Sequence, residues 1–382
     1  MKRRYRMALT ALAAALSVAV VLGLVVLGSA SEGPLSTLFQ RIGTGVSGLE
    51  SRLARTLRGP GRAADLEWLQ PLREHPDSLR HPDTLLLGAY DDDLPAGFGD
   101  LIAFEEALGR TLPLIQVYTA WGDEPQHGFP ERMVEAIDQL GSIAVVTWEP
   151  WLTTFENRLH PHLALRDVRD RGGLAAIARG NYDFYLDDWA REAARFGEPL
   201  LVRLAHEMND PYRYPWGPQN NPPEDFIDAW RHVVERFRAA GATNVLWVWS
   251  PHVAYAGYEV YWPGDEYVDW VATGALNYGT VAYWSQWWSF DQIFGQHYDF
   301  LEGFGKPIMV AEFGSLAVGG DRAAWYREAL EGFRERFPEV HALLFFHVEE
   351  DATVTQQTLD WSFFDDPGVL EAVRGALGPT PP

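Results

Sequence analysis

The 382-residue sequence contains no cysteine and only two lysines, Lys2 and Lys306. Without thiols there are no disulfide staples and no thiolate metal sites, so stability must come from a packed core. A hydrophobic content of 47% supplies enough apolar surface for one large domain. The scarcity of lysine accompanies a formal net charge of −22, which repels a phosphate backbone, and no nucleic-acid partner is expected. Nor is there a G-x-G-x-x-G after the first strand candidate or a phosphate loop, which removes support for a nucleotide-binding open sheet. His206-Glu207 begins an H-E-x-x-H zinc signature but breaks it, because position 210 is Asp. Asp91-Asp92-Asp93 lacks the alternating ligands of a calcium loop. Neither a metal nor a cofactor is expected.

Aromatic residues, in contrast, are plentiful: 16 Trp, 15 Tyr and 20 Phe. Most must fill the core, while flat faces left exposed suit stacking on the C–H faces of sugar rings. At the N-terminus Lys2, Arg3, Arg4 and Arg6 precede an uncharged, largely apolar run from Met7 to Ala30. At about 1.5 Å per residue this run is long enough to cross a bilayer core of about 30 Å, and the positive flank stays inside. A retained single-pass anchor with the body outside the cytoplasm is expected. Gly28-Ser29-Ala30 also offers a signal-peptidase site, the alternative being a secreted protein.

Leu35, Leu38, Phe39, Ile42, Val46, Leu49, Leu53 and Leu57 recur at helical spacing, interrupted by Gly43, Gly45 and Gly48. This predicts a marginal amphipathic helix that lies on the membrane, docks a partner such as a membrane glycan synthase, or packs on the main domain. The expected partition is an anchor or signal peptide over 1–31, an amphipathic helix and linker over 32–83, and one domain over 84–378. In that domain strand candidates Leu85–Tyr90, Leu114–Tyr118, Ile143–Trp148, Leu200–Leu204, Val245–Trp249, Val268–Asn277, Ile308–Val310 and Ala342–Phe346 alternate with helical segments Phe129–Leu140, Asp183–Phe196, Pro223–Ala240, Phe290–Leu301 and Asp321–Phe337. Eight strands in such alternation predict an α/β fold, a (β/α)8 TIM barrel.

Glu207 follows the fourth strand candidate and Glu312 the seventh, so both fall on the C-terminal face where barrel strands share one mouth. Two carboxylates there, brought within about 5–5.5 Å, form the pair a retaining glycosidase uses as acid/base and nucleophile. Arg203, on the same strand end, is expected to keep a carboxylate ionised. Trp148, ending the third strand, is expected to face the mouth as a sugar platform. Tyr283, Trp284, Trp287 and Trp288 form either an aromatic floor for a glycan or core packing. His347, ending the eighth strand, is either a substrate-facing residue or a satisfied polar group.

Read together, Arg203–Asn209 (RLAHEMN), Trp216-Gly217, Thr147–Trp151 (TWEPW), Tyr261–Trp270 (YWPGDEYVDW), Val310–Gly314 (VAEFG) and Leu359–Phe363 (LDWSF) resemble glycoside hydrolase family 26. The resemblance implies a retaining (β/α)8 barrel of a β-mannanase-like enzyme acting on a β-linked polysaccharide, mannan-like or a bacterial exopolysaccharide. By motif it implies Glu207 as acid/base and Glu312 as nucleophile. His206 would contact the sugar beside the scissile bond, Asn209 would bind substrate, and Trp216 would pack near the cleavage point. Two positions depart from the family. Leu276 stands where a tyrosine hydrogen-bonds the nucleophile, with Tyr278 as the expected substitute of the same strand parity. Asp210-Pro211 replaces Gly-Trp on the leaving-group side. These departures motivate the alternative of a catalytically weakened carbohydrate-binding or polysaccharide-assembly accessory protein.

Overall fold

A computed structural model describes residues 61–62, 64–91, 97–355 and 357–377. The expected anchor over Met7–Ala30, the helix over Leu35–Leu57, and Asp92-Asp93 lie outside these residues. Among the described residues, no helix is long and apolar enough to cross a membrane.

Eight parallel strands close into a barrel in sequence order: β1 Leu86–Asp91, β2 Leu114–Ala120, β3 Ile143–Glu149, β4 Leu200–Leu204, β5 Val245–Trp249, β6 Trp270–Asn277, β7 Ile308–Ser315 and β8 Val340–His347. These are the eight segments expected from apolar runs. The main extension is β7, which continues through Glu312 because its pairing with β6 and β8 outlasts the apolar pattern. Helices Glu131–Gln139, Asp183–Phe196 and Pro223–Ala239 follow their expected spans. Two others are broken. A π turn at Asp291–Gly295 precedes Gln296–Glu302, and Gly332, at a φ of 60° that favours glycine, separates Arg322–Leu330 from Phe333–Arg336. Helices Gly99–Leu108 and Pro367–Leu377 also cover the barrel, although the sequence reading omits them.

The barrel interior is a packed core of alternate strand residues, among them Leu86, Leu114, Val145, Leu201, Val248, Ala272, Met309 and Leu344. Gly88 makes room for it, since a Cβ there would meet Leu114 Cβ at 2.8 Å and Leu344 Cγ at 2.9 Å. The core reaches back before Thr84. Short helical turns at Glu67–Leu69, Gln70–Glu74 and Pro76–Arg80 send Leu69 and Leu79 into the same cluster. Arg80 Nε ties this segment to Asp269 Oδ1 at 2.6 Å. This end of the barrel is therefore plugged by apolar side chains, and polar groups collect at the other.

Candidate active site

Period-two alternation delivers most of the mouth. On β4, Leu201 faces the interior, so Arg203 does too; on β3, Thr147 faces in, bonded to Gln116, and Glu149 follows two residues on. The residue between them, Trp148, must then face out. It is fully buried against Trp189 (ring centroids 4.3 Å), Trp121 and Tyr185, with Nε1 directed to the Tyr185 hydroxyl at 3.3 Å. Trp148 is thus a wall residue between barrel and helices and not the expected sugar platform. The same parity removes His347, whose ring stacks on Phe104 of helix Gly99–Leu108 at 4.5 Å. Trp249, ending β5, likewise faces out and packs on Trp262 and Phe304.

Glu312 reaches the mouth by breaking the alternation. Met309 and Ala311 both face the interior, so an uninterrupted strand would turn Glu312 outward. Instead Thr273 pairs with Val310 and Gly274 with Glu312, leaving Ala311 as one extra residue; the ladder to β8 shifts over the same stretch. This β-bulge re-aims the carboxylate inward and sends Phe313 out against Trp325 and Tyr326. Inside, Glu312 Oε1 accepts from Arg203 Nη1 at 2.6 Å and from the Tyr118 hydroxyl at 2.7 Å. Burial pushes its pKa up, but the Arg203 charge and these two hydrogen bonds outweigh it, and the net shift is downward. Arg203 is itself enclosed, held by Ser250 Oγ at 2.9 Å.

The hydroxyl on Glu312 therefore comes from Tyr118 on β2 and not from Tyr278. Tyr278 instead meets Trp361 and Trp284 edge-on at 4.9 and 5.2 Å. Tyr118 shares the parity of Gln116 at the end of an expected strand, and that signal was available in the sequence.

Glu207 is mounted differently. Ala205 and Glu207 both adopt left-handed backbone conformations, at φ 43° and 52°, which cost non-glycine residues free energy and gather at functional sites. The turn is pinned by Ala205 N to Trp148 O and Glu207 N to Ser250 O. The Glu207 side chain is buried, 3.3 Å from Arg213 Nη1 and 3.9 Å from His252 Nε2. The space between the carboxylates is kept by Gly274. A Cβ on that residue would lie 3.5 Å from Glu312 Oε2 and 3.9 Å from Glu207 Oε1. The two oxygens are thus no further apart than those distances laid end to end.

Around this gap the remaining candidates divide. His206 is buried beside it, Nε2 3.0 Å from the Tyr214 hydroxyl; burial first, then Arg203 and Arg213, hold its pKa well below the usual range, so the ring is neutral. Trp216 is buried behind His206, donating to its carbonyl at 2.8 Å and stacked on Tyr214. Asn209 spends its side chain on the loop after β5: its amide donates to the His252 and Tyr255 carbonyls, and its oxygen accepts from His252 N. Trp284 is half exposed and Tyr283 fully exposed on the loop after β6, placing an aromatic ledge at the rim.

Asp210 accepts from Tyr212 N and Arg213 N, shaping the turn that carries Arg213 to Glu207. Glu207, Asp210 and His252 bring potential metal-ligand atoms within 4.8 Å of one another. His252 Nδ1, however, accepts from Ala254 N at 3.2 Å. In the neutral ring the proton is then on Nε2, so a donor and not a lone pair faces Glu207. In this arrangement the trio is a poor fit for a cation.

Residues 182–302 match the model of Glycosyl hydrolase family 26. Endoglucanase H of Acetivibrio thermocellus is 33% identical over 285 residues, 72% of this chain and 28% of that protein. Mannan endo-1,4-beta-mannosidase A and B of Caldalkalibacillus mannanilyticus is 25% identical over 200 residues, 50% of this chain and 35% of that protein. The chain therefore spans about a third or less of the length of these curated relatives. A family 26 β-mannanase structure from Bacteroides ovatus shares the fold, with a TM-score of 0.56 at 17% identity over 82% of this chain and 92% of that one. The motifs, the matched region and the barrel converge, and the chain belongs to glycosyl hydrolase family 26.

Proposed function

We propose that the protein is a retaining glycoside hydrolase that cleaves a β-linked polysaccharide, with Glu312 as nucleophile and Glu207 as acid/base. The observation that carries this reading is the pair of carboxylates facing each other across Gly274. In the first step Glu312 attacks the anomeric carbon while Glu207 gives its proton to the departing glycosidic oxygen, leaving a covalent glycosyl-enzyme. In the second, Glu207 takes a proton from water, which attacks the same carbon and releases Glu312. Arg203 and Tyr118 both hold Glu312 Oε1, leaving Oε2 beside the gap as the attacking atom. The relatives act on mannan or are named for glucan cleavage, which supports a β-linked backbone as substrate.

The accessory-protein alternative draws on Leu276 and on Asp210-Pro211; Tyr118 provides a hydroxyl on Glu312 in place of the one missing at Leu276, and Asp210 shapes the turn that carries Arg213 to Glu207. For location, the reading is a body outside the cytoplasmic membrane, held by Met7–Ala30 and working beside a membrane glycan synthase; the support is the charge asymmetry around that run. The test is turnover by the full chain on β-mannans, β-glucans, xylans and exported bacterial polysaccharides, with the product anomer followed by NMR. Cleavage with retention, abolished in Glu207→Gln and Glu312→Gln, is expected. Cleavage with inversion, or activity that survives either substitution, overturns the assignment.

A further inference from the structure

Glu149 ends β3 on the interior side of the strand, between the outward Trp148 and the loop residue Pro150. Its Oε2 accepts from Trp151 Nε1 at 2.9 Å, which fixes the carboxyl group and turns Oε1 toward His206 Nδ1 at 3.9 Å. That nitrogen is enclosed and has no hydrogen-bond partner, although His206 is only 2% exposed and its other nitrogen is engaged by Tyr214. A buried polar atom left open in this way points to a group that arrives later. The separation fits one. At 3.9 Å the two atoms are too far apart to bond directly, yet a single oxygen at about 2.8 Å from each sits astride them. The ring of His206 also meets Tyr118 edge-on at 6.1 Å, and Tyr118 holds Glu312. The open pair therefore flanks the place where a sugar bound to Glu312 would lie.

We propose that Glu149 and His206 clasp one hydroxyl group of the sugar held at Glu312, and that Glu149 thereby sets which β-linked glycan is accepted. The inference rests on the hydrolase reading and deepens it by naming the residue that reads the substrate. A hydroxyl can donate to one partner and accept from the other, which a ring C–H cannot. The rejection of a glycan lacking that hydroxyl, or carrying it in the other configuration, follows because both buried groups are then left unpaired.

The test measures binding of manno-, mixed-linkage gluco- and β-1,3-xylo-oligosaccharides to the full chain carrying Glu312→Gln, with and without Glu149→Ala, alongside kcat/KM for the single variants. Glu149→Ala is expected to weaken the preferred oligosaccharide about 10- to 100-fold and to narrow the preference over the other two by about tenfold. Glu149→Gln, which can still hold a hydroxyl, loses less. Trp151→Phe separates a role in merely bracing the loop and is expected to leave the preference order intact. A loss by the same factor for all three oligosaccharides, or no loss, overturns the clasp: Glu149 then holds only Trp151 or a water. Wild type that binds but cleaves nothing sinks the hydrolase reading while the binding arm still decides on Glu149. Failure of all three to bind overturns the clasp for these glycans, and turnover of exported bacterial polysaccharides then decides the hydrolase reading separately.

Discussion

The two carboxylates at the mouth are held in opposite ways. Glu312 sits in an extended strand, its carboxylate bonded at 2.6 and 2.7 Å to Arg203 and Tyr118, whereas Glu207 projects from a turn with two left-handed residues and its carboxylate lies 3.3 Å from Arg213 and 3.9 Å from His252. For the nucleophile proposed at Glu312, which must be ionised and aimed at one carbon, tight cationic support serves the task. For the acid/base proposed at Glu207, which must reach first the leaving oxygen and then water, a looser shell leaves the carboxyl group room to do both.

The largest break in this comparison comes from removing each carboxylate in turn. Glu312→Gln should lower kcat by about 10⁴-fold or more on any glycan, the scale of losing a nucleophile. Glu207→Gln should cost about 10²–10⁴-fold on polysaccharide but far less on aryl glycosides whose leaving group needs no proton; steady-state kinetics on both substrate types checks the difference. Next in size is Gly274→Ala. The added methyl makes only ordinary contacts with the protein, so the fold should survive, while the space between the carboxylates is filled; kcat/KM is expected to fall about 100-fold with an unchanged melting temperature.

The tyrosines give a finer test. Tyr118→Phe removes a hydrogen bond that helps lower the Glu312 pKa, so the acid limb of the kcat/KM profile should move to higher pH and activity drop about tenfold or more. Tyr278→Phe should leave both close to wild type. A third carboxylate, Glu149, extends the comparison to stability. Burial raises its pKa from 4.5 to about 7, against the Trp151 hydrogen bond and Arg203. The fold therefore keeps a proton that the unfolded chain has lost, and the stability linked to Glu149 declines as pH rises from 4.5 to 7. Glu149→Gln should recover roughly 2–3 kcal/mol above pH 7 and little at pH 4, read from melting curves across pH. The smallest effect is expected from Ala205→Gly, which relieves a strained φ and should stabilise by up to about 1 kcal/mol.

The barrel was legible because it rests on apolar runs and strand count, which are local and repeated. The two glutamates were legible because their motifs sit at strand ends. Side-chain direction was legible only where alternation holds and its parity is known. Trp148 went the wrong way for want of that parity: Glu149, one residue later, is the residue that faces the mouth. The bonds of Asn209 were not legible because its partners, His252 and Tyr255, lie in a loop after another strand. Tyr278 had the parity expected of a substitute, but Tyr118 on a distant strand already occupied the position beside Glu312. Gly274 carried no signal at all, since its contribution is empty space.

The bulge at Ala311 has a consequence for how this chain tolerates change. Substitutions around Glu312 alter what the carboxylate touches, whereas deleting Ala311 would remove only the extra residue: simple alternation from Met309 would then keep Glu312 facing in and Phe313 facing out. The direction of the carboxylate therefore survives the loss of this one residue. What the bulge itself adds is local, a break in the ladder beside the glutamate where the strand bends and its twist increases.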